Sequence, residues 1–183
     1  MRVRYLIKYT KESNIKFISH LDIMRTIQKV VRRAELPVKY SQGFNPHMAL
    51  SIAQPLGVGV YSSGEYMDLI LVEEMDVQEI IDRLNEKSAS GIKFMTATQI
   101  PPTEPNEKKM PQAMAMIDAC RYTIKINYTS VEDLEEEVKA LFEKNEWITL
   151  KKSKKAEKEV NIKEFIYEFK FWVRSEERRV GKE

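Results

Sequence analysis

One cysteine, Cys120, and two histidines, His20 and His47, are the only thiol and imidazole groups in this chain of 183 residues. An internal disulfide is therefore excluded, and no standard Cys/His zinc site can be assembled. Neither a structural metal nor another cofactor is expected. Long apolar runs are lacking too: no stretch approaches the roughly 20 consecutive apolar residues of a membrane-spanning helix. The opening Met1-Arg2-Val3-Arg4-Tyr5-Leu6 does not lead into a signal-type apolar run. These absences point to a cytoplasmic protein with no membrane partner. Glycine is scarce at 6 residues, and Gly57-Val58-Gly59 lacks both the third glycine and the strand-to-helix setting of a dinucleotide loop.

What is present is the material of a globular protein, 43% apolar and 32% charged. The net charge of +2 hides an asymmetry: residues 1–50 hold 10 Lys/Arg against 3 Asp/Glu, whereas residues 51–100 hold 3 against 8. A local basic field steers an anionic partner whatever the total charge.

Val3, Tyr5, Ile7 and Tyr9 alternate with Arg2, Arg4, Leu6 and Lys8, the period-2 pattern of a strand with one buried face. Ser19 followed by Asp22 reads as a capping box opening a helix whose apolar positions are Leu21, Met24, Ile27, Val31 and Ala34, with Pro37 past its end. Residues 40–47 form a loop, Met48 to Ala53 a short strand, Gln54 to Gly64 a turn, and Met67, Leu69 and Leu71 mark a further strand. Asp76 caps a second helix with Val77, Ile80, Ile81 and Leu84 inside, and a fourth strand runs from Gly91 through Ile92 and Phe94.

The order strand, helix, strand, strand, helix, strand is that of a ferredoxin-like α+β domain, assigned to residues 1–100. Residues 101–111, with four prolines, read as a linker. Beyond them Tyr122, Ile124, Ile126 and Tyr128 alternate as a strand, and Ser130 caps a helix containing Leu134, Val138, Leu141 and Phe142. Trp147 to Leu150 and Phe169 to Val173 read as further strands. The expectation is thus tandem ferredoxin-like (βαββαβ) domains, the second, residues 112–174, truncated. Residues 175–183 form a polar tail, either a fraying end or a scar of cloning or sequencing.

Four features bear on function. Arg25, Lys29, Arg32 and Arg33 form a basic stripe on the first helix, suited to a phosphate backbone or simply to solvent. In the loop Tyr40-Ser41-Gln42-Gly43-Phe44-Asn45-Pro46-His47, Tyr40, Gln42, Phe44, Asn45 and His47 are candidate RNA contacts, because aromatics among polar groups stack unpaired bases. A packed loop with Tyr40 and Phe44 buried is the alternative. His20 and His47 are candidate general acid and base for cleaving an RNA phosphodiester, although exposed first-turn histidines are common. Cys120 reads as a small buried hydrophobe, and Lys151-Lys152-Ser153-Lys154-Lys155 as a solvated hairpin tip that could extend a basic surface.

The segments Arg4-Tyr5-Leu6-Ile7-Lys8-Tyr9, Phe17-Ile18-Ser19-His20-Leu21-Asp22 and Tyr40-Ser41-Gln42-Gly43-Phe44-Asn45-Pro46-His47 resemble the bacterial radical-SAM-linked protein family. So do Pro55-Leu56-Gly57-Val58-Gly59 and Gly64-Glu65-Tyr66-Met67-Asp68. The resemblance implies a partner, a radical SAM protein of the cobalamin-binding type, encoded beside or fused to members of the family. The chain itself lacks the closely spaced cysteines of an iron–sulfur cluster. A looser resemblance, through fold and His20, is to the repeat-processing endoribonucleases of CRISPR systems.

Three readings follow. The first is a non-catalytic accessory protein that binds RNA, tRNA or rRNA, and presents it to the radical SAM partner. The second is a metal-independent endoribonuclease using His20 and His47. The third is a protein–protein adaptor without RNA.

Overall fold

The computed structural model describes residues 2–102, 109–127, 133–152 and 156–172. The chain divides into two compact units, Met1–Arg121 and Tyr122–Glu183, and it is a mixed α+β protein with antiparallel sheets and three α-helices among the described residues.

In the first unit the elements are β1 (Val3–Lys11), α1 (His20–Arg33), β2 (Leu50–Ile52), β3 (Ser62–Leu71), α2 (Val77–Glu86) and β4 (Phe94–Ile100). The sheet order is β2-β3-β1-β4 with every neighbouring pair antiparallel. Alternation along β1 is strict: Val3, Tyr5, Ile7, Tyr9 and Lys11 are buried, and the residues between them are half-buried. Tyr5 faces Leu69 across β3 and Ile7 faces Met67, so the inward sets of the two central strands coincide. Against that face pack Ile23, Ile27, Val30 and Val31 of α1 and Ile80, Ile81 and Leu84 of α2, whereas Leu21 and Val77, expected on the inner faces of the two helices, lie in their first turns and are exposed. Burying such side chains contributes about 1.5–3 kcal/mol each.

Both helices begin where their caps require. Ser19 Oγ accepts from Asp22 N–H and donates to the Asp22 carboxylate, and Asp76 Oδ1 accepts from the N–H groups of Gln78 and Glu79. The Tyr5 hydroxyl donates to Met75 O at 2.8 Å and accepts from Met75 N–H at 2.9 Å, which fastens the entry of α2 to β1. Gly91 enters β4 with φ +90°, and a Cβ there would lie 2.7 Å from Ile15 Cγ2, so only glycine fits the turn.

The unit does not end with its last strand. Arg4 Nε donates to Asp68 Oδ1 at 2.8 Å, while its terminal nitrogens donate to Met110 O and Pro111 O; Asp68 Oδ2 accepts from Ala113 N–H. The chain beyond the proline-rich residues is thereby clipped to the second face of the sheet, and Ala113 is buried.

The second unit holds α3 (Leu134–Glu143), β5 (Ile148–Lys152) and β6 (Glu157–Asn161), the strands paired as a hairpin with Lys152 opposite Glu157. Phe142, Trp147 and Phe169 meet edge to face, with Phe142 and Phe169 centroids 4.7 Å apart. Several expectations fail here. Residues 122–127 form no strand, nor do residues 169–172; Tyr128, Ser130 and Val173 lie outside the described residues. Tyr122, Ile124 and Ile126 are exposed, because an alternating sequence becomes a strand only beside a sheet edge that accepts its hydrogen bonds. Leu134, Val138 and Phe142 are half-buried and Leu141 is exposed, so α3 lacks a closed core face. The expected tandem arrangement with a truncated second βαββαβ copy is not confirmed by the described residues. Cys120 is exposed rather than buried, since it lies in irregular backbone with no core to enter.

Candidate nucleic-acid interface

The stripe on α1 is exposed throughout. Arg25, Lys29, Arg32 and Arg33 all face solvent while Ile23, Ile27, Val30 and Val31 hold the opposite side in the core. Arg25 forms an exposed ion pair with Asp22 at 2.9 Å, and Arg33 Nε donates to Lys29 O. Lys29 and Arg32 have no carboxylate partner among the described residues. The Asp22 carboxyl is held below its ordinary range by the Ser19 hydroxyl first and by Arg25 second. That leaves the cations dominant along a helix about 21 Å long.

The loop at 40–47 leaves the β2 edge of the sheet. Its neck is closed by the Tyr40–Met48 bridge and by two bonds between Ser41 and His47: Ser41 N–H donates to His47 O, and His47 N–H donates to Ser41 Oγ. Beyond the neck every residue from Ser41 to His47 is exposed, and Phe44 stands wholly clear of the protein. Tyr40 is exposed at 40%, so the packed alternative, which buries both rings, does not describe this loop. Gln42 and Asn45 sit on the same exposed arc, and Gly43 turns the chain there with φ +125°.

His20 and His47 occupy different features. His20 opens α1 and lines a small cleft with Tyr9, Lys11, Ile23, Ile52, Pro55, Leu56 and Glu65; His47 is not among the lining residues. Ile23 of α1 and Ile52 of β2 share that cleft with Tyr9 and Lys11 of β1 and Glu65 of β3. The free space in this open cleft is about 10 Å³, room for about one water molecule.

Three titratable groups in the cleft are perturbed. Burial pushes the Tyr9 hydroxyl well above its usual range, with the Glu65 charge adding to the effect. Burial also raises the Glu65 carboxyl, opposed by the Ser62 hydroxyl and the Lys11 charge, and lowers Lys11, opposed by Glu65. The Lys11 ammonium, 2% exposed, donates to Lys16 O at 3.1 Å, Ile18 O at 3.0 Å and Gly57 O at 3.5 Å. Sequence reasoning assigns no functional role to Lys11, Glu65 or Tyr9. The signal for Lys11 was present, because continuing the β1 alternation carries it onto the buried face.

Among the described residues no group of three His, Cys, Asp or Glu could hold a metal ion, and no helix is long and apolar enough to cross a membrane. A comparison with curated proteins returned no match. Residues 4–182 match a family described as "Uncharacterized protein conserved in bacteria (DUF2344)". That match spans nearly the whole chain, from the second residue of β1 to the penultimate residue, and the protein belongs to this bacterial family.

Proposed function

We propose that the first unit, read as a ferredoxin-like domain, is the RNA-binding part of a non-catalytic accessory protein. One observation carries the reading: the first unit presents both an unshielded aromatic, Phe44, on a loop with a fixed neck and a row of exposed cations on α1. A phosphate backbone lies along Arg25, Lys29, Arg32 and Arg33, and Tyr40, Gln42, Phe44, Asn45 and His47 contact bases. The resemblance to radical-SAM-linked proteins supplies the remaining element, a radical SAM partner of the cobalamin-binding type to which tRNA or rRNA is presented.

Total cellular RNA offered to the purified chain at low and raised salt tests this. RNA that is retained at low salt, released at high salt and recovered at full length supports it; no retention at low salt overturns it.

A second reading, a metal-independent endoribonuclease, is favoured by His20 lining a cleft beside Tyr9, Lys11 and Glu65. The separation of His47 from that lining weighs against the pair acting on one phosphodiester. Cleavage that survives EDTA and vanishes in His20→Ala would establish it.

A further inference from the structure

Lys11 does more than fill a core position. Its ammonium ties the backbone of residues 16–18, just ahead of α1, to Gly57 in the β2–β3 turn, and Gly59 N–H donates to Lys16 O at 2.8 Å. Two loops are thus locked side by side by a charge taken out of water, an arrangement that costs desolvation and needs all three carbonyl acceptors. What the lock presents outward is apolar. Phe17 is 72% exposed, Leu21 51% and Val58 63%, with Ile18 beside them. Exposed apolar side chains brought near one another by the Gly59–Lys16 bond, on a fixed backbone, mark a contact surface.

Its electrical setting selects the partner. Lys16 Nζ lies 5.1 Å from the Phe17 ring centroid. Leu21 begins the exposed line that continues through Arg25, Lys29 and Arg32 at helical spacing. Residues 16–33 hold five Lys/Arg and one acid, Asp22, whose carboxylate is already engaged by Ser19 and Arg25. An apolar ring under a cation, at the head of a cationic track, fits a nucleobase with its phosphate better than it fits an apolar peptide.

We infer that Phe17, with Ile18, Leu21 and Val58 around it, is a stacking platform for an unpaired nucleobase, so that the RNA held along α1 is single-stranded. This rests on the RNA-binding reading and narrows it. In a duplex the base faces are hidden in the stack and only edges, sugars and phosphates can be reached, which leaves a ring such as Phe17 nothing to stack on. Phe17 and Phe44 then each engage a base, and the α1 cations hold the backbone.

The test measures binding of a labelled oligouridine and of a blunt RNA duplex of equal length, at one fixed salt concentration, to the full chain and to Phe17→Ala, Phe17→Leu and Phe17→Tyr. Phe17 is exposed, so these variants keep the core. The expected result is preference for the single strand, a loss of about fivefold or more on the single strand in both Phe17→Ala and Phe17→Leu, retention in Phe17→Tyr, and little change on the duplex. Equal affinity for both RNAs, or Phe17→Leu binding like the unaltered chain, overturns the platform while the RNA reading stands, and assigns the apolar patch to a protein surface instead. Absence of binding to either RNA at low salt removes the RNA reading itself, and this inference with it.

Discussion

Truncating Asp68 to alanine tests the clip between the sheet and the chain beyond the prolines. Asp68 is 4% exposed and its two oxygens serve different partners, Arg4 Nε at 2.8 Å and Ala113 N–H at 2.8 Å. Alanine leaves the Ala113 N–H without an acceptor and the guanidinium without its counter-charge. Removing one partner of a buried ion pair costs about 3–5 kcal/mol. Arg4 keeps Met110 O and Pro111 O and is itself partly exposed, which sets the cost near the lower end, about 3 kcal/mol, or roughly a hundredfold in the folding equilibrium. Asp68→Asn retains an acceptor of the same shape and costs less, about 1–2 kcal/mol. Urea unfolding followed by circular dichroism reads the order wild type, Asn, Ala. Tryptic cleavage after Lys109 in native buffer reads the local release, and should be fastest in the alanine variant. An Asp68→Ala protein with an unshifted urea midpoint and an unchanged cleavage rate would refute the reasoning.

Replacing Arg32 and Arg33 together by alanine removes two cations from the α1 track, so the slope of log affinity against log salt should become shallower by about 1.4 for single-stranded RNA; parallel salt plots would show that neither touches phosphate. Glu65 has its folded-state pKa raised by burial, so just above the ordinary glutamate range the folded protein binds more protons than the unfolded chain. Stability therefore falls as pH rises through that window, and Glu65→Gln should abolish the fall in urea titrations across mildly acid pH. Gly91→Ala must fit a Cβ 2.7 Å from Ile15 Cγ2 and 2.8 Å from Asn14 Oδ1 at φ +90°; thermal unfolding should show a loss of at least about 1 kcal/mol, and an unshifted midpoint would mean that the turn rebuilds freely.

The first unit was legible wherever a residue pattern and a buried face coincide. Val3, Tyr5, Ile7 and Tyr9 give β1, Ser19 and Asp76 give the helix starts, and Ile80, Ile81 and Leu84 give the inward face of α2, because period and capping are local properties. The same alternation in Tyr122, Ile124 and Ile126 misleads, since alternation alone does not make a strand and residues 122–127 form none. The α1 stripe was readable from spacing alone. Phe17 was not, because an apolar residue outside a periodic element has no face assigned to it. Asp68, Arg4 and Ala113 meet across more than forty residues of sequence, and no local pattern announces such a contact.

The sheet order β2-β3-β1-β4 has a consequence for how the protein is made. The first strand synthesised, β1, lies between β3 and β4, and β4 ends only at Ile100. At about 5–20 residues per second, the ribosome needs roughly 5–20 s to complete the partners of β1. β3, complete at Leu71, can take one edge of β1 within that interval, but the other edge stays unpaired until β4 is made. Closure of the sheet therefore waits for β4, the last of its strands in the sequence, whatever pairs before it.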